Sequence, residues 1–375
     1  MNGTVKKLVS ERFESHPLFN GLQCGMNFGS GDVRGDYSRP EMQKQPELMR
    51  KIGVNLVILN STICQESYYS RKLFLDFSRT PGEMELADMV KCLHDQGIRV
   101  ILRPSLISLD GVWKNRIYFR NDHQIQEIET FYYDDWFKSY SECLNYYADF
   151  AEAQQVDALL LGSTTYYAEY KNEPWHKTIL AIRERYSGPI SYEVFPNSFI
   201  HGLDWVKETD FLSLSYFPFA PKGFRSGSDY RKAPSATPAQ MAEYIQPGLE
   251  NIRQFSIQQA GKPFLLTSTG APSLHGHIYC PYSFSNGVYF DQDWLTFGFS
   301  PETGPDQDEQ ACFMEAMFQS VSALSGGMGL CWWKWDPDSA FSIAGKSAEK
   351  VFSSWAAQLK TDSSEKAKKE ADHAG

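Results

Sequence analysis

Only seven of the 375 residues are cysteine, an odd number scattered at 24, 64, 92, 143, 280, 312 and 331 with no C-x-x-C pairing. That usage argues against a disulfide framework and a structural zinc site, and for reduced, mostly buried thiols. Positive charge is also in short supply, 36 Lys and Arg against 46 Asp and Glu, for a net charge of −10. With no basic stripe interleaved with aromatics, nucleic acid is not an expected partner, and the acidic balance serves solubility. No apolar run reaches the length of a membrane span, so no membrane association is expected. The opening MNGTVKKLVSERFESHP lacks the apolar core of a secretory signal, so the expected location is cytoplasmic. A dinucleotide fingerprint is missing too. GMNFGSGDVRG (25–35) is Gly-rich but lacks the G-x-G-x-x-G order and a helix start, and no cofactor is expected.

What the chain does have is apolar and aromatic bulk. Hydrophobic residues make up 42%, enough for a sizeable core, and 9 Trp, 20 Tyr and 25 Phe raise the aromatic share to 14%. Most of that excess belongs to core packing, and the remainder suits a surface that stacks flat apolar faces such as those of sugar rings.

Eight short, β-branched, apolar runs recur: 22–28, 54–60, 98–104, 156–162, 189–195, 211–217, 263–269 and 328–335. Several are apolar almost throughout instead of alternating, the pattern of parallel strands covered on both faces. Between them lie segments of helical period at 46–53, 82–97, 136–155, 239–261 and 308–327. Gly97 stands where a helix C-terminus would turn into the next strand. Eight β units alternating with helices predict an α/β fold, a single (β/α)8 TIM barrel over 22–358. Residues 1–21 form an N-terminal extension, and 359–375, charged and poor in apolar residues, are expected to be a frayed or disordered tail. The long connections after strands 3, 6 and 7 (105–135, 218–238 and 270–306) follow strand C-terminal ends, the face on which barrels build their sites.

The motifs at those strand ends resemble a known group. GIRVILRPSL with Asp110 and Trp113, YADFAEAQQVDALLLGS, GPISYEVFPN, LDWVKETDFLSLSYFPF, GKPFLLTSTG, GPDQDEQACFMEAMFQSV and GLCWWKWDPDS follow one another as in clan A glycoside hydrolases. They are most similar to the β-mannanase-like glycoside hydrolase family 113, over roughly residues 22–340. The resemblance implies a retaining hydrolase of β-linked sugars, whose acid/base and nucleophile carboxyls stand roughly 5–5.5 Å apart. It places the acid/base two residues after Gly162 and the nucleophile after Thr267. Thr164 and Ser268 occupy those positions, and no acid lies within 162–167 or 265–273. A Thr hydroxyl does not protonate a leaving oxygen near neutral pH, and a Ser without a base does not trap an oxocarbenium-like centre. The expected function is therefore a glycoside-hydrolase-like pseudoenzyme that binds a carbohydrate or polyhydroxylated small molecule. The alternative is an active enzyme with relocated carboxylates such as Glu193 or Asp110.

Other candidates carry two readings each. Glu193, an acid inside the apolar strand SYEVF, is either half of a buried ion pair or a cavity carboxylate. Asp110 and Trp113 are a turn-capping acid and a packed ring, or a hydroxyl acceptor beside a stacking platform. Tyr216 is a core residue or a donor into the same cavity. Trp332, Trp333, Trp335 and Asp336 crowd the end of strand 8. Strand alternation sends Trp332 and Trp333 to opposite sides, so one of them packs under a helix. Arg103 suggests a salt bridge to Asp32 or Glu66, and Tyr166, Tyr167 and Glu169 are expected at the rim. His275 and His277 have an H-x-H spacing, but without an acidic or Cys ligand nearby in sequence no metal site is expected. A triad built on Ser268 lacks a G-x-S-x-G elbow.

Overall fold

The computed structural model describes residues 13, 15–29, 33–119, 126–218, 236–259, 261–277, 288–290, 297–299, 305–335 and 339–374. All eight apolar runs form strands: β1 (Gln23–Phe28), β2 (Leu56–Gln65), β3 (Arg99–Ser108), β4 (Ala158–Ser163), β5 (Ile190–Val194), β6 (Leu212–Ser215), β7 (Phe264–Thr269) and β8 (Gly327–Trp332). In the sheet the order is β1-β8-β7-β6-β5-β4-β3-β2, and β1 also pairs with β2. Each strand therefore lies beside its successor and the sheet closes, which is the topology of a single (β/α)8 barrel. Seven of the eight strands are buried at every residue or all but so, as their continuous apolar character requires. β3 is the exception, with three half-buried positions.

Contacts within the chain gather into two units, Gly29–Leu48 with Val57–Ser215, and Met1–Phe28 with Met49–Leu56 and Tyr216–Gly375. The first unit holds β2 to β6 and the helices α1 (Glu83–Asp95), α2 (Gln126–Ala153), α3 (Tyr166–Glu169) and α4 (Asn172–Arg183). Gly97 follows α1 with φ +68°, as the sequence suggests. Much of the aromatic excess is packed here. Trp136, Tyr140 and Tyr147 of α2 are fully buried. Tyr140 donates from its hydroxyl to the Leu161 carbonyl at 2.7 Å, and Trp136 from Nε1 to Gln65 Oε1 at 3.1 Å. Trp175 and Trp205 stack with ring centres 4.6 Å apart. These bonds satisfy the polar ends of rings whose bulk fills the space behind the sheet.

The second unit holds β1, β7 and β8 with α5 (Pro238–Gln258), α6 (Gln307–Ser322) and α7 (Ser347–Ala374). Thr237 opens α5 with a reciprocal capping box to Gln240, and Pro238 takes the first helical position. Asp306 caps α6 by accepting from the Glu309 N–H at 2.9 Å. α7 runs on through the charged stretch expected above to be a frayed or disordered tail. Ala, Glu and Lys are all strong helix formers, and poverty in apolar residues removes packing without removing that local preference.

Candidate functional site

The chemistry-bearing cluster of the first unit sits at the ends of β3, β4 and β5. Arg103 on β3 and Glu193 on β5 form a buried ion pair, Nη1 to Oε2 at 2.8 Å, and Arg103 Nε also donates to Asn60 Oδ1 on β2 at 2.9 Å. The ion-pair partner of Arg103 among the described residues is therefore Glu193 and not Glu66. Glu66 is exposed, and Asp32 lies outside the described residues. Charge pairing is what allows Glu193 to sit inside an apolar strand.

Thr164 follows directly on β4. Its backbone is left-handed, φ +50°, and its N–H donates to the Glu193 carbonyl at 2.8 Å. Just before it, Gly162 has φ +124° and packs so tightly that a Cβ would come within 2.1 Å of the Tyr140 hydroxyl. Ser163 Oγ accepts from the ammonium of Lys114, which the long connection after β3 delivers. Burial and the neighbouring Arg103 push the Lys114 ammonium down to about 8, against the pull of Glu193 and Glu169. The residue itself is half-buried.

Glu169, expected at the rim, is fully buried. Its Oε2 accepts from Ser198 Oγ at 2.7 Å and its Oε1 from the Tyr192 hydroxyl at 3.3 Å. Burial pushes its carboxyl up to about 8, outweighing the two hydroxyl bonds and the nearby Lys114, and the Glu193 charge adds to the rise. Tyr192 also accepts from the Thr165 N–H at 2.9 Å and lies 2.6 Å from Thr165 Oγ1. A hydrogen-bonded chain thus runs from the residue beside Thr164 to Glu169. Sequence reasoning missed Lys114 and this role of Glu169. The available signal was an acid flanked by Tyr166, Tyr167, Ala168 and Tyr170, the same anomaly that singled out Glu193.

Asp110 takes the turn-capping role. Its Oδ1 accepts from Ser108 Oγ at 2.6 Å and the Val112 N–H at 3.0 Å, and its Oδ2 from the Tyr68 N–H at 3.0 Å. Slight desolvation works upward, but these bonds prevail and hold its carboxyl below the ordinary range. Trp113 is 52% exposed. Beyond it Tyr118 and Tyr167 meet at 4.9 Å between ring centres, both exposed.

In the second unit Ser268 is a buried residue of β7, and its carbonyl accepts from the Tyr216 N–H at 2.8 Å. The Tyr216 hydroxyl, expected to donate into a cavity, donates instead to the Ile245 carbonyl of α5 at 2.7 Å. Gly248 makes room for the ring, since a Cβ there would meet the Tyr216 hydroxyl at 2.2 Å. Trp332 is fully buried, its Nε1 donating to the Phe341 carbonyl at 2.8 Å and its ring edge-on to Phe313 of α6, while Trp333 is half-buried. Trp335 is buried, and Asp336 lies outside the described residues.

The histidine loop gains the acids its own sequence lacks. His275 Nδ1 is 3.1 Å from Asp306 Oδ2 and 3.3 Å from Glu309 Oε2, and His277 Nδ1 is 3.4 Å from Glu309 Oε1. His275, Asp306 and Glu309 could together offer three ligand atoms to a cation. Glu309 Oε2 also accepts from the Gly276 N–H at 2.9 Å, and the other oxygen of Asp306, Oδ1, caps α6. Hydrogen bonding accounts for the arrangement without an ion. Burial pushes His277 down to about 4, which the Leu274 carbonyl only partly opposes.

Barrel topology and these strand ends define the class, a clan A glycoside-hydrolase barrel. The profile of Glycoside Hydrolase Family 113 matches residues 26–355, and the chain belongs to that family. Among solved structures it is similar to a family 113 β-1,4-mannanase complex at 22% identity and TM-score 0.71, covering 90% of this chain and 99% of that one. The family 113 β-mannanase AaManA from Alicyclobacillus acidocaldarius, in complex with ManMIm, is similar at 23% identity and TM-score 0.70, covering 90% and 98%. Further off is Pseudomonas stutzeri endoglucanase Cel5A, at 11% identity and TM-score 0.52, covering 88% and 93%. No curated protein matches the sequence.

Proposed function

We propose that the protein binds a carbohydrate or similar polyhydroxylated molecule at its C-terminal strand ends without ordinary retaining hydrolysis. The observation carrying this reading is that Thr164 and Ser268, both hydroxyls, stand where the family resemblance calls for the two carboxyls. The acids beside Thr164 do not make good the loss in a simple way. Glu193 is taken up by Arg103, and Glu169 is buried behind Ser198 and Tyr192. Exposed Trp113, Tyr118 and Tyr167 supply flat apolar faces for sugar rings. Because the family relatives of known structure are β-mannanases, β-1,4-linked manno-oligosaccharides head the candidates. A cytoplasmic setting belongs to the same reading and draws support from the buried Cys24 and Cys143, whose thiols burial pushes up to about 12. Calorimetric titration of manno-, gluco- and xylo-oligosaccharides tests the proposal. Binding of one series is expected, and its absence at millimolar concentration would overturn the reading.

One observation favours a second reading, an active enzyme with altered chemistry. Glu169 stands five residues beyond Thr164 with its carboxyl pushed up to about 8, so it holds a proton at neutral pH as a general acid must. Any turnover found should then fall at least about 100-fold in Glu169→Gln. Unchanged turnover would end that assignment.

A further inference from the structure

We infer that the ligand carries a carboxylate, as a uronic or aldonic sugar acid does, and that Lys114 is the group that binds it. The inference rests on the carbohydrate-binding reading above and narrows its substrate class. It starts from charge balance around Thr164. Arg103 and Glu193 neutralise one another at 2.8 Å. Glu169 is held by two hydroxyls, and among the described residues it has no ion-pair partner. Lys114 likewise has no carboxylate within ion-pair distance among the described residues, and its single hydrogen bond there goes to Ser163 Oγ. A half-buried ammonium with two donors to spare is a ready partner for an anion. The place where a family member would supply that anion is Thr164, next in sequence to Ser163. A carboxylate brought by the ligand would restore the charge that the Thr withholds. It would meet the Lys114 ammonium and the hydroxyls of Ser163 and Thr164, three donors of the kind that recognise an oxyanion. The exposed Tyr118 and Tyr167 lie on the segments that carry Lys114 and Thr164, where the sugar ring of such a ligand would extend.

Titration calorimetry on the full chain tests this with D-mannuronic and D-glucuronic acid oligosaccharides, their neutral mannose and glucose counterparts, and mannose 6-phosphate. The uronates should bind at least about tenfold tighter than the neutral sugars, the scale of one hydrogen bond to a charged group. Lys114→Met should collapse that ratio to near unity. Thr164→Glu, which returns a carboxylate beside the ammonium, should do the same by a different route, so that a misfolded variant at one position leaves the other to decide. Equal affinity for neutral and acidic sugars, or a ratio that survives both substitutions, would overturn the inference while leaving the carbohydrate reading intact. Preference for the phosphate over the uronates would overturn the assignment of a carboxylate. Failure of every sugar to bind would overturn both readings together.

Discussion

Glu169→Gln is the perturbation with the most specific expected outcome. The substitution keeps the shape of the side chain, and the Ser198 and Tyr192 hydroxyls can turn to suit an amide. What it removes is a titration. In the folded protein the Glu169 carboxyl is raised to about 8 by burial, while an unfolded glutamate ionises near its ordinary value of 4.5. Between those values the unfolded chain has released a proton that the folded chain retains. Stability from this group is therefore fully present below pH 4.5 and is lost as pH rises toward 8. The slope is about 1.4 kcal/mol per pH unit, so even a shift half as large would remove roughly 2 kcal/mol by pH 8. His277, depressed to about 4, works in the opposite direction below pH 6.5, because the unfolded histidine takes up a proton that the folded one refuses. A comparison of wild type with variant cancels that contribution. Urea midpoints at pH 5 and pH 8 should show the two proteins nearly equal at the lower pH and the variant more stable at the higher. Identical pH dependence in both proteins would refute the assignment of a protonated, buried Glu169.

Further substitutions report on the same structure. Arg103→Met removes the ion-pair partner of the buried Glu193 carboxylate and should cost about 3–5 kcal/mol in urea unfolding. Adding Glu193→Gln should return part of the loss. Gly162→Ala puts a Cβ 2.1 Å from the Tyr140 hydroxyl at φ +124°, whereas Gly35→Ala, at φ +87°, meets nothing within 4 Å. The first should cost about 3 kcal/mol and the second about 1 kcal/mol, measured side by side. Tyr216→Phe should lose about 1 kcal/mol with its bond to the Ile245 carbonyl and leave ligand affinity unchanged.

The fold was legible because its signal is local and repeated. Runs such as VNLVILN and PFLLTST are apolar on both faces, and parallel strands require that. Cap chemistry was equally readable around Gly97. The candidate site was legible only where one residue breaks a local pattern. Glu193 stood out in an apolar strand, but its ion-pair partner lies 90 positions away, a separation that no local pattern reveals. Glu169 breaks the run YYAEY in the same manner, yet a place after a strand reads as rim, and only the packing of Ser198 and Tyr192 around it shows that it is buried. Lys114 has no local anomaly, being a lysine in a polar loop. Its chemistry comes from being carried to Ser163. The acids facing His275 come from the first turn of α6, some 30 residues on. The pattern D-x-x-E at 306–309 announced a helix start, and nothing in it announced a histidine partner.

The account rests on a protein that holds sugar and does not cleave it by retention. A proton NMR time course with β-1,4-mannopentaose and its uronate-bearing analogue reads both properties in one sample. Saturation transfer from protein to sugar, with no new reducing-end anomeric signals over several days, is the predicted result. Growth of product that first appears as the β-anomer would contradict it, since retention requires the two carboxyl functions that Thr164 and Ser268 lack.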